Sequence, residues 1–432
     1  MKHFKHWLIT AVVLLYSVTV SAGAYFEVDG IWYETNDNSE LTVDVIAPKD
    51  GSSYSGNVEI PSRVEYNAVS WKINSVKGFT DCPDLISVSI PNTVWYVYSA
   101  FNGSSNLESI TCNAVNPPAA NEYTFNGVNK ETCTIYVPAS SVDAYKGADG
   151  WSEFTNIQPI LIASGTFPNN VNWKLTDEGQ LIIEGVGKMT HTPWRFEYES
   201  FIKSVTIGEG VTSIADMAFY GCSNLTTITI PESVTSIEKT AFYECSSLTS
   251  ITIPKTITRI EENTFYGCSS LTSFTIPEGV TSIGEYAFVG CSSLTSITIP
   301  ESVISIGKGA FSSCNNLNSI TIPKCVTSIG YRVFADCCNL SIITFSENSQ
   351  LKSIGERAFL GCSSLSSIAI PSGVTSIGDE AFSGCSTLTS ITVPDGVTSI
   401  GNSTFYGCSN LTSITIPSGV TSIGSNAFES CI

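Results

Sequence analysis

The sequence predicts a mostly β solenoid: coils of 23 residues carrying short parallel strands and short helical or 3₁₀ turns, divided into two arrays. Three observations predict it. A phenylalanine recurs ten times from Phe219 to Phe428, at intervals of 23 with a single interval of 25 between Phe334 and Phe359. A cysteine follows each of them at the third position, from Cys222 to Cys431. Between these marks lies a strand-like alternation closed by proline. A fixed period in this range means stacked units, and stacked units offer a long surface and seldom a deep pocket.

One coil, Cys268 to Gly290, shows the pattern. Leu271, Phe274 and Ile276 have the spacing L-x-x-L-x-L,. Phe274 and Ile276 are two apart and share one face of a strand, while Ser273 and Thr275 take the other. Pro277 ends the strand because it has no N–H for the ladder. Val280 and Ile283 read as a second extended segment. Ala287-Phe288 falls on a tight helical or 3₁₀ turn that returns the chain to Cys291. One coil cannot enclose its own apolar face, so burial requires a neighbour above and below.

In chain order, residues 1–22 read as a secretory signal peptide. Lys2 and Lys5 supply positive charge, Trp7–Val20 is apolar, and Val20-Ser21-Ala22 is a small-residue cleavage site,. No cysteine follows that site, which argues against a lipoprotein. No later apolar run is long enough for a transmembrane segment. The expected location is secreted or at the cell surface. Residues 23–162 read as a degenerate first array with a cap. Phe79 and Cys82, Leu85-x-x-Val88-x-Ile90-Pro91, and Val94-x-x-Val97 with Ala100-Phe101 repeat the motif loosely. Ser104 stands where a cysteine would be. Ser140–Trp151 reads as a polar cap with a short helix. Residues 163–204 read as a β-hairpin cap and linker. There Val171–Leu175 and Gln180–Glu184 flank a turn with Gly179, and Pro193–Ser200 is irregular. Residues 205–432 are the regular array of ten coils, which ends just after a Phe-x-x-Cys turn and leaves an apolar edge open.

Composition narrows the function. The formal net charge of −19, from 20 Lys and Arg against 39 Asp and Glu, argues against nucleic acid, whose phosphates need cationic partners. Fifteen cysteines in an exported chain would ordinarily mean disulfides. Their placement once per coil instead predicts an inward ladder of free thiols. Cys325 and Cys338 lie off that ladder and are expected to react first. Metal and cofactor sites are not predicted, because the cysteines lack C-x-x-C spacing and histidine partners.

The repeating unit C-x-x-L-x-x-I-x-I-P-x-x-V-x-x-I-G-x-x-A-F-x-x-C resembles the BspA-like, or Treponema pallidum-type, leucine-rich repeats. The resemblance covers about 230 residues from Val205 onward and, more loosely, Ile73–Ile157. The opening Tyr25–Tyr33 is similar to the mature start of such proteins. The resemblance implies a surface or secreted adhesin that binds host matrix proteins, host cells or other microbes, with no catalytic residues. This chain departs from the pattern in having no recognisable C-terminal sorting signal.

Catalysis is not expected. His191 is the only histidine beyond the signal segment and sits in a turn-like stretch, so a nucleophile–histidine pair would have to use it. Two features could bind. The first is a ladder of small hydroxyl side chains on the strand face, including Ser250, Thr252, Ser273, Thr275, Ser296 and Thr298, though Thr also simply suits exposed strands. The second is aromatic. Tyr220, Tyr243 and Tyr266 follow the phenylalanine in successive coils and should stack, and Trp95, Tyr96 and Tyr98 cluster in the first array. Such residues anchor interfaces, or pack against neighbouring coils. Three functions remain open: protein binding in adhesion, carbohydrate binding, and a structural or self-assembling role.

Overall fold

The structure is a computed structural model that describes residues 22–36 and 40–431. The signal-peptide reading therefore falls almost wholly outside the described residues. Among those described, no helix is long and apolar enough to cross a membrane. The chain divides into two compact units, Met1–Ile160 and Leu161–Ile432, each with its own hydrophobic core.

The first unit opens with a sheet that the coil motif does not predict. Strands β1 (Tyr25–Val28), β2 (Ile31–Thr35) and β3 (Thr42–Ile46) form an antiparallel meander. After β4 (Gly56–Glu59), strand β5 (Arg63–Tyr66) pairs antiparallel with β6 (Val69–Val76). Parallel pairing of β3 with β6 closes this sheet. Residues 25–76 are thus largely hairpins and not coils, because the tight turns at Gly30 (φ 78°) and Asn67-Ala68 (φ 51° and 61°) reverse the chain,.

Coil geometry begins with β4, which pairs parallel with β7 (Leu85–Ile90). The ladder continues through β8 (Ser109–Cys112), β9 (Thr134–Val137) and β10 (Asn156–Pro159). Behind it Phe79, Phe101 and Phe125 stack with ring centroids 5.7 and 5.8 Å apart. Helix α1 (Val142–Lys146), flanked by 3₁₀ turns at Ala139–Ser141 and Trp151–Glu153, covers the end of that core. Tyr145 and Trp151 are fully buried there, and their polar atoms donate to the carbonyls of Ala114 and Pro118.

The second unit opens with β11 (Leu161–Thr166), β12 (Val171–Thr176) and β13 (Gln180–Gly185), paired antiparallel. Gly179 takes the left-handed conformation its turn requires (φ 86°),. From β13 onward the pairing is parallel, through β14 (Gly187–Lys188) and β15 (Ser204–Ile207) into the regular coils. The ten phenylalanine rings form one column with centroids 5.4 to 5.6 Å apart. Trp194, in the stretch read as irregular, begins this column: it is fully buried and stacks on Phe219 at 6.1 Å. The two residues inserted near 346–350 stay in a surface turn, and the Phe334–Phe359 rings still stack at 5.6 Å.

The phenylalanine turn is not a run of regular 3₁₀ helix. The residue two before each phenylalanine has a left-handed φ, from Met217 (55°) to Asn426 (54°). Alternate amides consequently point along the array: Met217, Phe219 and Gly221 donate to the carbonyls of Lys239, Ala241 and Tyr243 one coil later. The intervening Ala218, Tyr220 and Cys222 amides close turns onto residues three before them. All six donors are satisfied, which offsets the strain of the left-handed residue.

Candidate interaction surfaces

The coils place the predicted residues on distinct surfaces. Tyr220, Tyr243 and Tyr266 stand one residue after the ring column and are partly exposed. Their rings lie face to face, with centroids 4.7 and 4.6 Å apart and planes within 3° and 7° of parallel. Coil stacking imposes that geometry, because the backbones beneath are locked in register by the turn amides. Burial, then the neighbouring Tyr266, raises the Tyr243 phenol above its ordinary pKa. The guanidinium of Arg195 lies 4.8 Å from the Tyr220 ring centre and 4.6 Å from that of Phe196, a cation–π arrangement that caps one end of the stack. Arg195 and Phe196 were not legible as site residues. The only signal was the neighbouring Trp194, which precedes Phe219 by 25 residues rather than 23.

The hydroxyl ladder is present but interrupted. Ser273–Thr275 pairs parallel with Ser296–Thr298, and Ser296 pairs onward with Ser319. All six of the named serines and threonines are exposed. Ser250 and Thr252, however, belong to no strand. Beside them the larger Phe274 takes the place that isoleucine holds in adjacent coils and lies edge-on between Phe265 and Phe288. A cavity of about 450 Å³ lined by Ile251, Ile253, Ile276 and Pro277 opens at this break.

In the first unit, Trp95, Tyr96 and Tyr98 are exposed, by 59%, 43% and 43%. They do not form one cluster. Tyr96 and Tyr98 flank one cleft, their rings 5.5 Å apart and tilted by 45°, whereas Trp95 lines a different one with Val115 and Pro117. His191 is exposed, with Nδ1 3.0 Å from the Thr190 hydroxyl and its ring edge-on to Phe167.

All fifteen cysteines are free. The thiol of each ladder cysteine from Cys245 onward donates to the carbonyl of the phenylalanine in the preceding coil, as Cys268 does to Phe242 and Cys291 to Phe265, both at 3.2 Å. Burial pushes the Cys268 pKa up to about 12 and that of Cys291 well above the ordinary thiol value. These thiols are therefore not poised as nucleophiles.

Residues 72–166, 194–317, 262–387 and 347–432 match the BspA type leucine rich repeat region, together more than half of the chain. No curated protein matches it. Among solved structures, a leucine-rich repeat protein from Bacteroides ovatus is 25% identical, with a TM-score of 0.48, covering 94% of this chain and 92% of that one. The leucine rich repeat protein of T. pallidum is 27% identical, with a TM-score of 0.37, over 52% of this chain and 87% of that one. A leucine rich cell surface protein from Faecalibacterium prausnitzii is 24% identical, with a TM-score of 0.34, covering 91% of this chain and 95% of that one. Stacked 23-residue coils, the phenylalanine–cysteine signature and the matched residues lead to one conclusion: the chain belongs to the BspA-type leucine-rich-repeat family.

Proposed function

We propose that this is an exported binding protein, with no catalytic role, that adheres to host or microbial surfaces by gripping a protein partner along its second unit. The observation that carries this reading is the stack of Tyr220, Tyr243 and Tyr266 with Arg195 at its end. Tyrosine and arginine are the residue types that most often dominate binding energy at interfaces. Here they are already ordered by the coils beneath, so little side-chain entropy remains to be lost on binding. The acidic, sparsely charged surface favours partners with exposed basic and aromatic groups. The signal-like residues 1–22 support export, and the family supports repeat-mediated protein contact.

The test is binding of the purified chain to immobilised matrix proteins and to intact bacterial cells, read by biolayer interferometry and cell pull-down. Tyr243→Ala is expected to weaken binding by about tenfold or more while leaving the melting temperature near that of the parent. Unchanged binding by a folded Tyr243→Ala protein would remove the tyrosine stack from the interface.

A further inference from the structure

We infer a second binding site, in the first unit, that takes a single pyranose sugar residue in the cleft between Tyr96, Tyr98 and the Asp44–Lys77 pair. This inference does not depend on the tyrosine stack of the second unit.

The cleft arises from a fault in the strand ladder. Between β3 and β6 the register shifts, so Val43 faces Ile73 but Asp44 faces Ser75. The extra residue, Asn74, is a β-bulge. It turns Ser75 off the core face held by Ile73 and Val76, both fully buried. Ser75 in turn bridges in parallel to Tyr96. Asp44, Ser75 and Tyr96 are therefore side by side on three adjacent chain segments, with Lys77 and Tyr98 two residues further along the last two. Together with Asn36 they line an open cleft of about 370 Å³, within the range of small-molecule sites of roughly 300–1,000 Å³.

Its chemistry is mixed in a specific way. Asp44 is 5% exposed, and its carboxylate is held by Lys77 Nζ at 2.6 Å and by Asn36 Nδ2 at 2.9 Å. Each carboxylate oxygen keeps a lone pair for a further donor, and the ammonium keeps hydrogens for a further acceptor. Ser75 lines the cleft, and its buried hydroxyl finds no hydrogen-bond partner among the described residues. A buried hydroxyl without a partner costs free energy, and a ligand hydroxyl in the cleft would satisfy it. The tyrosine rings add an apolar wall whose π faces are electron-rich. A pyranose matches this set: one face carries weakly positive C–H groups for an aromatic ring, and its rim carries hydroxyls that both donate and accept. The paired Asp44 and Lys77 leave the site nearly neutral, which suits an uncharged sugar.

The experiment is saturation-transfer-difference NMR on the full chain with the methyl glycosides of glucose, galactose, mannose and N-acetylglucosamine. Host-type and microbial glycan arrays then separate the two sources of such a residue. We expect one glycoside to bind in about the millimolar range, as a ligand of this size allows. Tyr98→Ala and Ser75→Val should each weaken it at least tenfold, Tyr98→Phe should weaken it less, and Tyr243→Ala should leave it unchanged. Thermal melts confirm that each variant is folded. Ser75→Val removes a core-adjacent hydroxyl and Tyr98→Ala a surface ring, so loss of fold in one leaves the other to decide. No binding by any probe, or parental binding by either folded variant, overturns the inference.

Discussion

Cysteine and serine are the two small side chains that both fit the position after the phenylalanine turn and donate a hydrogen bond there. The first unit shows the equivalence directly: Ser104 Oγ donates to the Phe79 carbonyl at 2.6 Å, the contact that Cys291 makes to Phe265 at 3.2 Å. The acceptor already takes one amide, from the cysteine of its own coil, so the thiol supplies the second bond. Cys291→Ala is expected to lose about 1–2 kcal/mol of stability through the missing donor and the cavity left behind. Cys291→Ser should cost less than that. Urea denaturation distinguishes them, and a serine variant no more stable than the alanine one would show that volume alone matters. The same geometry sets reactivity. With iodoacetamide at pH 8, Cys338, which is exposed, and then Cys325, which is half-buried, should be labelled in the native protein. The buried ladder thiols, Cys222 to Cys408, should label only in denaturant, whereas the half-buried Cys431 should label as Cys325 does, as mass spectrometry of the peptides would show. A rapidly labelled Cys268 would contradict their burial.

At the scale of the element, consecutive coils are joined at three places: the strand, the second short extended segment, and the phenylalanine turn. The first two were legible, because alternation and proline mark them, as in Phe274-x-Ile276-Pro277. The third was not. Its ladder depends on left-handed residues such as Met217 and Tyr286, and no side-chain pattern announces that conformation in a non-glycine residue. Charged side chains add a smaller connection between turns. Arg357 forks onto Glu380 of the next coil, with Nε–Oε2 at 2.9 Å and Nη2–Oε1 at 2.7 Å. The guanidinium holds the Glu380 carboxyl below its ordinary pKa. A lowered folded-state value stabilises the fold at pH above the ordinary carboxylate range and ceases to do so as pH falls through the lowered value. Both groups meet solvent, so the effect is small. Glu380→Gln should lower the melting temperature by about 1–2 °C at pH 7, and the difference should shrink as the pH falls below the ordinary carboxylate range,. A difference that persists undiminished at pH 3 would mean that shape, not charge, accounts for it.

At the scale of the whole molecule, the two hydrophobic clusters share no residue. Each unit also begins with antiparallel strands: β1–β3 in the first, in a sheet with β5 and β6 separate from the parallel ladder, and β11–β13 in the second, in one sheet with the first parallel strands. We expect residues 23–160 and 161–432, expressed separately, each to fold and to melt within about 5 °C of a transition in the full chain. Circular dichroism and calorimetry check this. A piece that is unfolded alone would make the two units one cooperative body. The candidate surfaces differ in how far the sequence exposed them. Tyr220, Tyr243 and Tyr266 are one period apart, so their alignment follows from the repeat itself. Asp44, Ser75 and Tyr96 come from separate, non-periodic segments, and only pairing across a bulge makes them neighbours.

The period of 23, with phenylalanine and cysteine fixed within it, was enough to determine stacked coils, their apolar face and the stacking of rings one period apart. That follows because in a repeat each residue's neighbour is its own counterpart, so sequence register becomes spatial register. Wherever the period fails, only the tertiary structure decided. It turned most of residues 25–76 into hairpins, began the ring column at Trp194, broke the hydroxyl ladder at Ser250–Thr252, and brought Ser75 between Asp44 and Tyr96. Those contacts are set by pairing between distant segments, which no local pattern encodes.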